Sequence, residues 1–145
     1  MAIEDFRQLR VYQSGFDGAM RIFERTKLWP KEEQYAMTDQ IRRASRSVCA
    51  NMGEAWFKRL YPRHFVSKLS DAGSEAVETL VWIEVALACG YLSEDEAADL
   101  SSQYRIIAGG LAKMMAKPEQ WCIPTDRIKE ESFDYDFDSD SSFSS

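Results

Sequence analysis

The chain has a single histidine, His64, and three cysteines scattered at Cys49, Cys89 and Cys122. A di-iron site in a helical bundle needs Glu-x-x-His pairs on facing helices, and one histidine cannot supply two such pairs. The sequence also has no Cys-x-x-Cys pair, no Gly-rich phosphate loop and no nucleophile elbow. We therefore predict no enzyme, no catalytic residue, no metal site and no cofactor, and reduced thiols instead of a disulfide framework.

Long apolar runs are also lacking. No segment approaches the length of a membrane span, and residues 1–5 lack both the basic start and the apolar core of a signal peptide. Alternating segments bounded by Asn-Gly or Asp-Gly turns are missing as well, which argues against a β-sheet. These absences predict an all-α, cytoplasmic protein without a membrane partner.

Negative charge is concentrated at one end of the chain. The net charge of the 145 residues is −6, and residues 126–145 hold seven acidic side chains against two basic ones. This segment is rich in serine and has no pattern of burial. We predict a folded domain over residues 1–125, long enough to bury its own core, and a disordered acidic tail over residues 126–145.

What the domain does contain is apolar residues at steps of three and four, the spacing of one helix face. Four segments show this pattern and predict four helices. Their predicted core residues are Phe6, Leu9, Tyr12, Phe16, Ala19, Met20 and Phe23; Met37, Ile41, Ala44, Val48, Met52 and Ala55; Phe65, Leu69, Ala72, Ala76, Leu80, Ile83 and Leu87; and Ala97, Leu100, Tyr104, Ile107, Leu111 and Met114.

Turn and capping residues separate these segments. The first is expected to end near Trp29 and Pro30, the third at a left-handed Gly90, and the fourth to begin with a capping box at Ser93–Glu96. The links are short, which favours antiparallel neighbours. The sequence therefore predicts an antiparallel up-down-up-down four-helix bundle, with Trp121 packed back onto it.

The second predicted helix carries two further features. Arg42, Arg43 and Arg46 lie opposite its core face, and Lys58, Arg59 and Arg63 extend this charge towards the third helix. Aromatic residues lie among these bases, a combination suited to RNA, because guanidinium groups pair with phosphates and rings stack on bases. A solvated basic face is the competing interpretation.

Small residues form the other feature. Ser45, Cys49 and Gly53 are four residues apart on one flank, and Gly109 and Gly110 lie in the middle of the fourth helix. Because glycine costs about 1 kcal/mol in a helix interior, such a pair is best tolerated where another helix approaches closely. We predict that these five residues lie at a subunit interface; a local kink is the alternative for the glycine pair.

Several segments in order carry a family resemblance. They are Phe6–Tyr12, Trp29–Tyr35, Thr38–Ser45 with Asn51 and Glu54, Ser74–Thr79 and Cys89–Leu92. In these segments the chain resembles the bacterial four-helix-bundle proteins encoded by intervening sequences of 23S rRNA genes. That family is related to the accessory variability determinant of diversity-generating retroelements. The resemblance implies a four-helix protomer and a homopentameric ring.

Three functions remain open at this point. The favoured one is non-catalytic RNA binding by an oligomer, through the six bases of the second helix and of its junction with the third. The second is a protein-interaction adaptor that docks onto an enzyme such as a reverse transcriptase, as the resemblance implies. The third is a structural scaffold with no nucleic-acid partner.

Overall fold

A computed structural model describes residues 2–124, and within this range the chain is helical, with no strand. The main helices are α1 (Arg10–Thr26), α2 (Met37–Phe57), α3 (Pro62–Ala88) and α4 (Glu94–Ala116), and short 3-10 turns occur at Phe6–Gln8, Lys31–Glu33 and Pro118–Gln120. This confirms the predicted all-α, four-helix class. The predicted disordered tail, residues 126–145, lies outside the described residues. No helix of the described part is long and apolar enough to cross a membrane.

Each helix packs against two others, in the cyclic order α1, α2, α3, α4. Contacts at both ends of α1 show how it lies on α4: Arg25 pairs with Glu96 at the start of α4, whereas Val11 lies against Gly110 near its end. These contacts are what an antiparallel pair requires. The short links between the helices are consistent with this direction for the other neighbours.

Helix α2 has the core face that its sequence predicts. All six predicted residues, from Met37 to Ala55, are buried, with at most 5% of their surface exposed. The face lies between α1 and α3, the two helices that contact α2. Burial on two sides fixes the rotation of α2, and with it the direction in which the arginines point.

Helix α1 differs from the prediction in two respects. It begins at Arg10, because Leu9 is extended and separates it from the turn at Phe6–Gln8. Phe16 and Met20, predicted as core residues, are exposed. Ala19 is buried as predicted, and Gly15, Gly18, Ile22 and Thr26 share its inward face. The pattern of large apolar residues was misleading here because α1 packs through small residues.

Helices α3 and α4 begin and end largely as predicted. Gly90 has φ +79°, the left-handed conformation expected after α3. Ser93 accepts a hydrogen bond from the Glu96 amide at 3.1 Å, and the Glu96 carboxylate accepts one from the Ser93 amide at 3.0 Å, which confirms the capping box. The prediction was wrong at Leu87, which is exposed, because Ala86 takes the core position at the end of α3.

The chain after α4 returns to the bundle, as predicted. The ring of Trp121 meets that of Trp56 edge-on, with centroids 6.4 Å apart. The Ile123 amide donates a hydrogen bond to the Arg59 carbonyl at 3.2 Å. These contacts hold residues 121–123 beside the junction of α2 and α3.

Candidate nucleic-acid interface

Three cations surround one aromatic ring between α1 and α2. The guanidinium carbons of Arg42 and Arg46 lie 5.0 Å and 5.8 Å from the centroid of the Phe23 ring, and Lys27 Nζ lies 4.5 Å from it. The negative face of an aromatic ring attracts cations, so Phe23 lowers the cost of holding them together. We call these four residues the Phe23 cluster.

Hydrogen bonds to α1 fix the orientation of Arg42. Its Nε donates to Thr26 Oγ1 at 2.8 Å and its Nη2 to the Phe23 carbonyl at 3.5 Å. The Thr26 hydroxyl in turn donates to the Ile22 carbonyl at 2.8 Å. A guanidinium held in this way loses little conformational entropy when it binds an anion.

An apolar strip on α1 continues from the Phe23 cluster. Phe16, two turns before Phe23, is 51% exposed, and its ring packs on that of Tyr12 with centroids 6.3 Å apart. Met20 lies between them along the helix and is also exposed. Both side chains were predicted as core residues, so this exposed surface beside the arginines was not predicted. Gly15 and Gly18 form part of the inner face of α1, and they were the residues of the sequence that could have indicated this orientation.

Arg43 does not join the Phe23 cluster. Its Nη1 lies 3.9 Å from Asp39 Oδ2, one helical turn away, and both side chains are solvent-exposed. Exposed pairs of this kind contribute about 0.2–1 kcal/mol, so Arg43 could exchange this partner for a ligand. Of the three predicted arginines, the structure places two on the α1 side of α2 and one beside Asp39.

The remaining predicted bases lie at the other end of α2. Lys58 follows Arg46 by twelve residues, which corresponds to about 18 Å along the helix axis. Beside it, Arg59 stacks on the Trp56 ring at 3.7 Å and donates its Nε to the Trp56 carbonyl at 2.9 Å. Arg63 is exposed in the first turn of α3. We call Lys58, Arg59 and Arg63 the junction cluster; it and the Phe23 cluster are two separate basic areas.

Lys68 follows the junction cluster in the sequence and is also a base, but its charge is neutralised in the structure. Its Nζ lies 2.6 Å from Glu54 Oε2 and 3.8 Å from Asp71 Oδ2. The hydrogen bond that Lys68 donates to Glu54 raises the pKa of Lys68 and so keeps the pair ionised. Lys68 therefore contributes little to the field that a polyanion meets.

The predicted interface residues on α2 already pack within the protomer. Ser45 is fully buried, and its hydroxyl donates a hydrogen bond to the Arg42 carbonyl at 3.1 Å. Cys49 is half-buried beside Gly15 of α1. A methyl group at Gly53 would lie 3.9 Å from the Phe6 ring. Contact with a second subunit stays a prediction for these residues, and the Ser45 hydroxyl is not accessible to one.

The glycine pair in α4 divides between an inner and an outer role. A methyl group at Gly110 would lie 3.3 Å from Val11, so this glycine allows α1 to approach α4. Gly109 has nothing within 4 Å and faces outwards, near the exposed Ile106. Only Gly109 therefore keeps an open face on which another subunit could lie.

A shallow groove between α3 and α4, which we call the α3–α4 groove, was not predicted; apolar side chains line it together with Glu84, Glu94 and Arg105. It has a volume of about 470 Å³, and Val77 and Val81 on its α3 wall are about half exposed. Leu87, expected in the core, also lines it. The signal for this groove was present in the sequence, since Val77 and Val81 are four apart on a face of α3 that the core stripe does not use.

His64 lies on the surface and stacks on Tyr61, with ring centroids 5.6 Å apart. Within residues 2–124, no three His, Cys, Asp or Glu side chains converge in an arrangement that could hold a metal ion. Burial raises the pKa of the Cys49 thiol to about 11, so this thiol is protonated at neutral pH. The described chemistry is thus that of cations, aromatic rings and apolar surface.

Comparison with known proteins identifies relatives of this chain. The chain is similar in structure to a protein of unknown function from the S23 ribosomal protein family of Bacteroides thetaiotaomicron, with 25% identity and a TM-score of 0.66. The alignment covers 73% of this chain and 95% of that one. No curated protein matches the chain. Residues 7–113, which include all four helices except the last turn of α4, match the family model described as 23S rRNA-intervening sequence protein. The chain therefore belongs to the 23S rRNA-intervening sequence protein family.

Proposed function

We propose that this protein is a non-catalytic, homo-oligomeric RNA-binding protein that contacts RNA phosphates with the Phe23 cluster. The observation that carries the proposal is that two of these cations contact an aromatic ring and no carboxylate. Among residues 2–124, Arg42 and Arg46 form no ion pair with a carboxylate; they share the Phe23 ring instead. A basic face that serves solubility alone gains nothing from orienting its guanidinium groups, whereas phosphate recognition does.

The aromatic surface of α1 complements these charges. Single-stranded or looped RNA presents unstacked bases, which bind to exposed rings next to cationic groups. Phe16, more than half exposed two turns before Phe23, is such a ring. The family description, which refers to intervening sequences of 23S rRNA, also supports RNA as the class of ligand.

The junction cluster provides a second contact for the same strand. It lies about 18 Å further along α2 than Arg46. At about 3.4 Å per phosphate in a stacked strand, this distance spans roughly five phosphates. Twelve residues also turn about 120° around α2, so a strand that contacts both clusters would cross the exposed face of this helix and span more than five phosphates.

Self-association is the second part of the proposal. The α3–α4 groove presents Val77, Val81 and Leu87 to solvent in the isolated protomer, and Ile106 on α4 is 68% exposed. Apolar surface of this kind is typical of interfaces between subunits. The homopentamer that the family resemblance implies would bury it. A partner protein, as in the adaptor hypothesis, is the other occupant that this groove fits.

Fluorescence anisotropy with a labelled single-stranded RNA tests the RNA-binding proposal. Arg46→Glu, at an exposed position, should weaken binding about tenfold or more, since it replaces an attractive charge with a repulsive one. Lys113→Glu makes the same change in charge at an exposed position near the end of α4, and should leave affinity within about twofold. Equal loss in both variants would mean that only net charge matters and would reject the Phe23 cluster as a site.

A further inference from the structure

The end of α2 borders an open groove that contains an exposed aromatic ring. The groove has a volume of about 560 Å³, and Phe57, in its wall, is 56% exposed. We call it the Phe57 groove. Its lining residues are Ala50, Gly53, Glu54, Phe57, Lys58 and, from α3, Lys68. Lys58 belongs both to this groove and to the junction cluster, so apolar surface and positive charge adjoin here.

The charge of this surface is positive. Glu54 and Lys68 lie 2.6 Å apart and cancel one another, which leaves the charge of Lys58 among the described residues that line the groove. Arg59 and Arg63 of the junction cluster add to it, and Arg63 is exposed. Guanidinium and ammonium groups pair with carboxylates, and an exposed ring packs against other rings. The surface therefore favours an acidic ligand that also carries aromatic side chains.

The described chain ends beside this surface. The Ile123 amide donates to the Arg59 carbonyl at 3.2 Å, and Arg59 stacks on the Trp56 ring. Residues 125–145, which lie outside the described part of the chain, therefore start next to the junction cluster. Residues 125–133 span up to about 30 Å when extended. The last two turns of α2 are only about 11 Å long, so the whole groove lies within this reach.

The sequence that follows complements the surface. Residues 126–145 hold seven acidic side chains against two basic ones, a net charge of −5. Rings and carboxylates alternate in residues 133–138, which read Phe-Asp-Tyr-Asp-Phe-Asp. We call these six residues the acidic aromatic segment. Because an extended chain points alternate side chains to opposite sides, the segment would present carboxylates on one side and rings on the other.

We propose that the acidic aromatic segment docks on the junction cluster and the Phe57 groove of its own chain, with its carboxylates beside Lys58 and Arg63 and a ring packed on Phe57. The covalent tether gives the segment an effective concentration on the order of millimolar, so a contact with a millimolar dissociation constant is already half formed. The docked segment covers the second of the two RNA contacts and competes with RNA there. This competition rests on the proposed function, whereas the docking itself does not.

Carbodiimide crosslinking of the full-length protein, read by mass spectrometry, tests the docking. The reagent joins a lysine amine directly to a carboxylate that it contacts. We expect Lys58 to be joined to the acidic aromatic segment about fivefold or more as often as Lys113 is, since docking holds the reacting groups together. Lys113 is the matched control, because it is exposed and lines a cavity with Trp121, near the start of the tail. Equal crosslinking of the two lysines would overturn the proposal.

Two substitutions on the surface leave every carboxylate of the tail in place. Phe57→Ser removes the ring of the groove, and Arg63→Glu reverses a charge; each should lower the crosslinks of Lys58 about threefold or more. Phe16→Ser removes a ring that is similarly exposed, at 51%, on α1 and should leave them unchanged. Circular dichroism checks that each variant is helical. Unchanged crosslinking in both Phe57→Ser and Arg63→Glu would overturn the proposal.

Isotope labelling shows which chain supplies the tail. Equal amounts of light and heavy protein are mixed in urea, refolded together and crosslinked. Docking on the same chain gives Lys58 crosslinks between peptides of like isotope. As many mixed pairs as like pairs would assign the surface to the tail of a second copy, and would overturn the proposal.

Fluorescence anisotropy with single-stranded RNA tests the competition. Asparagine in place of Asp134, Asp136 and Asp138 in the full-length protein should tighten binding about twofold to fivefold, because the junction cluster is no longer covered. Neutralising the three acidic residues of 126–131 makes the same change in charge in the same tail and should have less than half this effect. Equal tightening by both sets would overturn the competition. If the Lys58 crosslinks form and no protein binds RNA, the proposed function fails and the docking stands.

Discussion

At Gly18, α1 approaches α4 more closely than any side chain would allow. A methyl group at this position would lie 2.7 Å from the hydroxyl oxygen of Tyr104, and Tyr104 is fully buried. The sequence pattern showed the large apolar residues of α1 but not that its glycines form the inner face. This is why Phe16 and Met20 were assigned to the core and lie at the surface instead. Periodicity identifies a helix, but small residues have no hydrophobic signal of their own.

We expect Gly18→Ala to lower the free energy of unfolding by about 1–3 kcal/mol, because the added methyl group forces a rigid buried ring to move. Urea denaturation followed by circular dichroism measures the change. Gly73→Ala is the matched control: it is also inside a helix and has nothing within 4 Å, so it should stabilise the protein by up to about 1 kcal/mol. A Gly18→Ala protein at least as stable as the wild type would contradict the close contact.

The three cysteines should differ in reactivity with iodoacetamide. Burial raises the pKa of Cys49 to about 11 and also raises that of Cys122, whereas Cys89 is exposed. Only the thiolate reacts, so at pH 8 Cys49 is almost wholly in its unreactive form. Mass spectrometry should show Cys89 modified first, with Cys49 reacting only as the pH approaches 11 or the protein unfolds. Modification of Cys49 as fast as Cys89 at pH 8 would contradict its burial.

At the scale of helices, the sequence was most informative where local chemistry decides the structure. The capping box at Ser93–Glu96 and the left-handed Gly90 depend on neighbouring residues, and both are observed. The core face of α2 was also predictable, because packing on two sides gives a regular apolar stripe. The side of α2 on which each arginine lies, and the ring of Phe23 beneath two of them, depend on how α1 packs. No pattern within α2 contains that information.

Ser93→Ala should lower the melting temperature, since loss of an N-cap hydrogen bond costs about 1 kcal/mol. The pKa of Glu96 is lowered, chiefly by its hydrogen bond from the Ser93 amide. A lowered pKa means that Glu96 contributes stability above its unfolded pKa, and that this contribution disappears as the pH falls through the folded value. Thermal unfolding at neutral pH should show the loss in Ser93→Ala but not in Ser102→Ala, an exposed position in the middle of α4. Equal melting temperatures for the two variants would contradict the capping box.

At the scale of the whole molecule, the four-helix protomer presents two different surfaces. The Phe23 cluster and the apolar strip of α1 lie on the α1–α2 side, and the α3–α4 groove lies on the other side. Because the bundle has the cyclic order α1 to α4, these sides face away from one another. An oligomer that buries the groove would therefore leave the basic surface accessible to a ligand.

Val81→Glu should dissociate the proposed oligomer, because Val81 lies in the α3–α4 groove and is 49% exposed in the protomer. Burying this carboxylate carries a desolvation cost, which Arg105 in the same groove would offset only in part because Glu84 and Glu94 also line it. Multi-angle light scattering at micromolar concentration measures the mass, and circular dichroism checks that the helices remain. Tyr35→Glu, at an exposed position in the link before α2, should leave the mass unchanged. A wild-type protein that is monomeric under these conditions would contradict self-association and favour the adaptor hypothesis.

The salt dependence of RNA affinity tests the central claim most directly. Each phosphate contact on a single strand contributes about −0.7 to the slope of log K against log salt concentration, because binding releases counterions. Replacing both Arg42 and Arg46 with glutamine should therefore make the slope less steep by about 1.4. Lys113→Gln should leave it unchanged. A double variant with the wild-type slope would show that these arginines do not contact phosphate, and would contradict the proposal that the Phe23 cluster binds RNA.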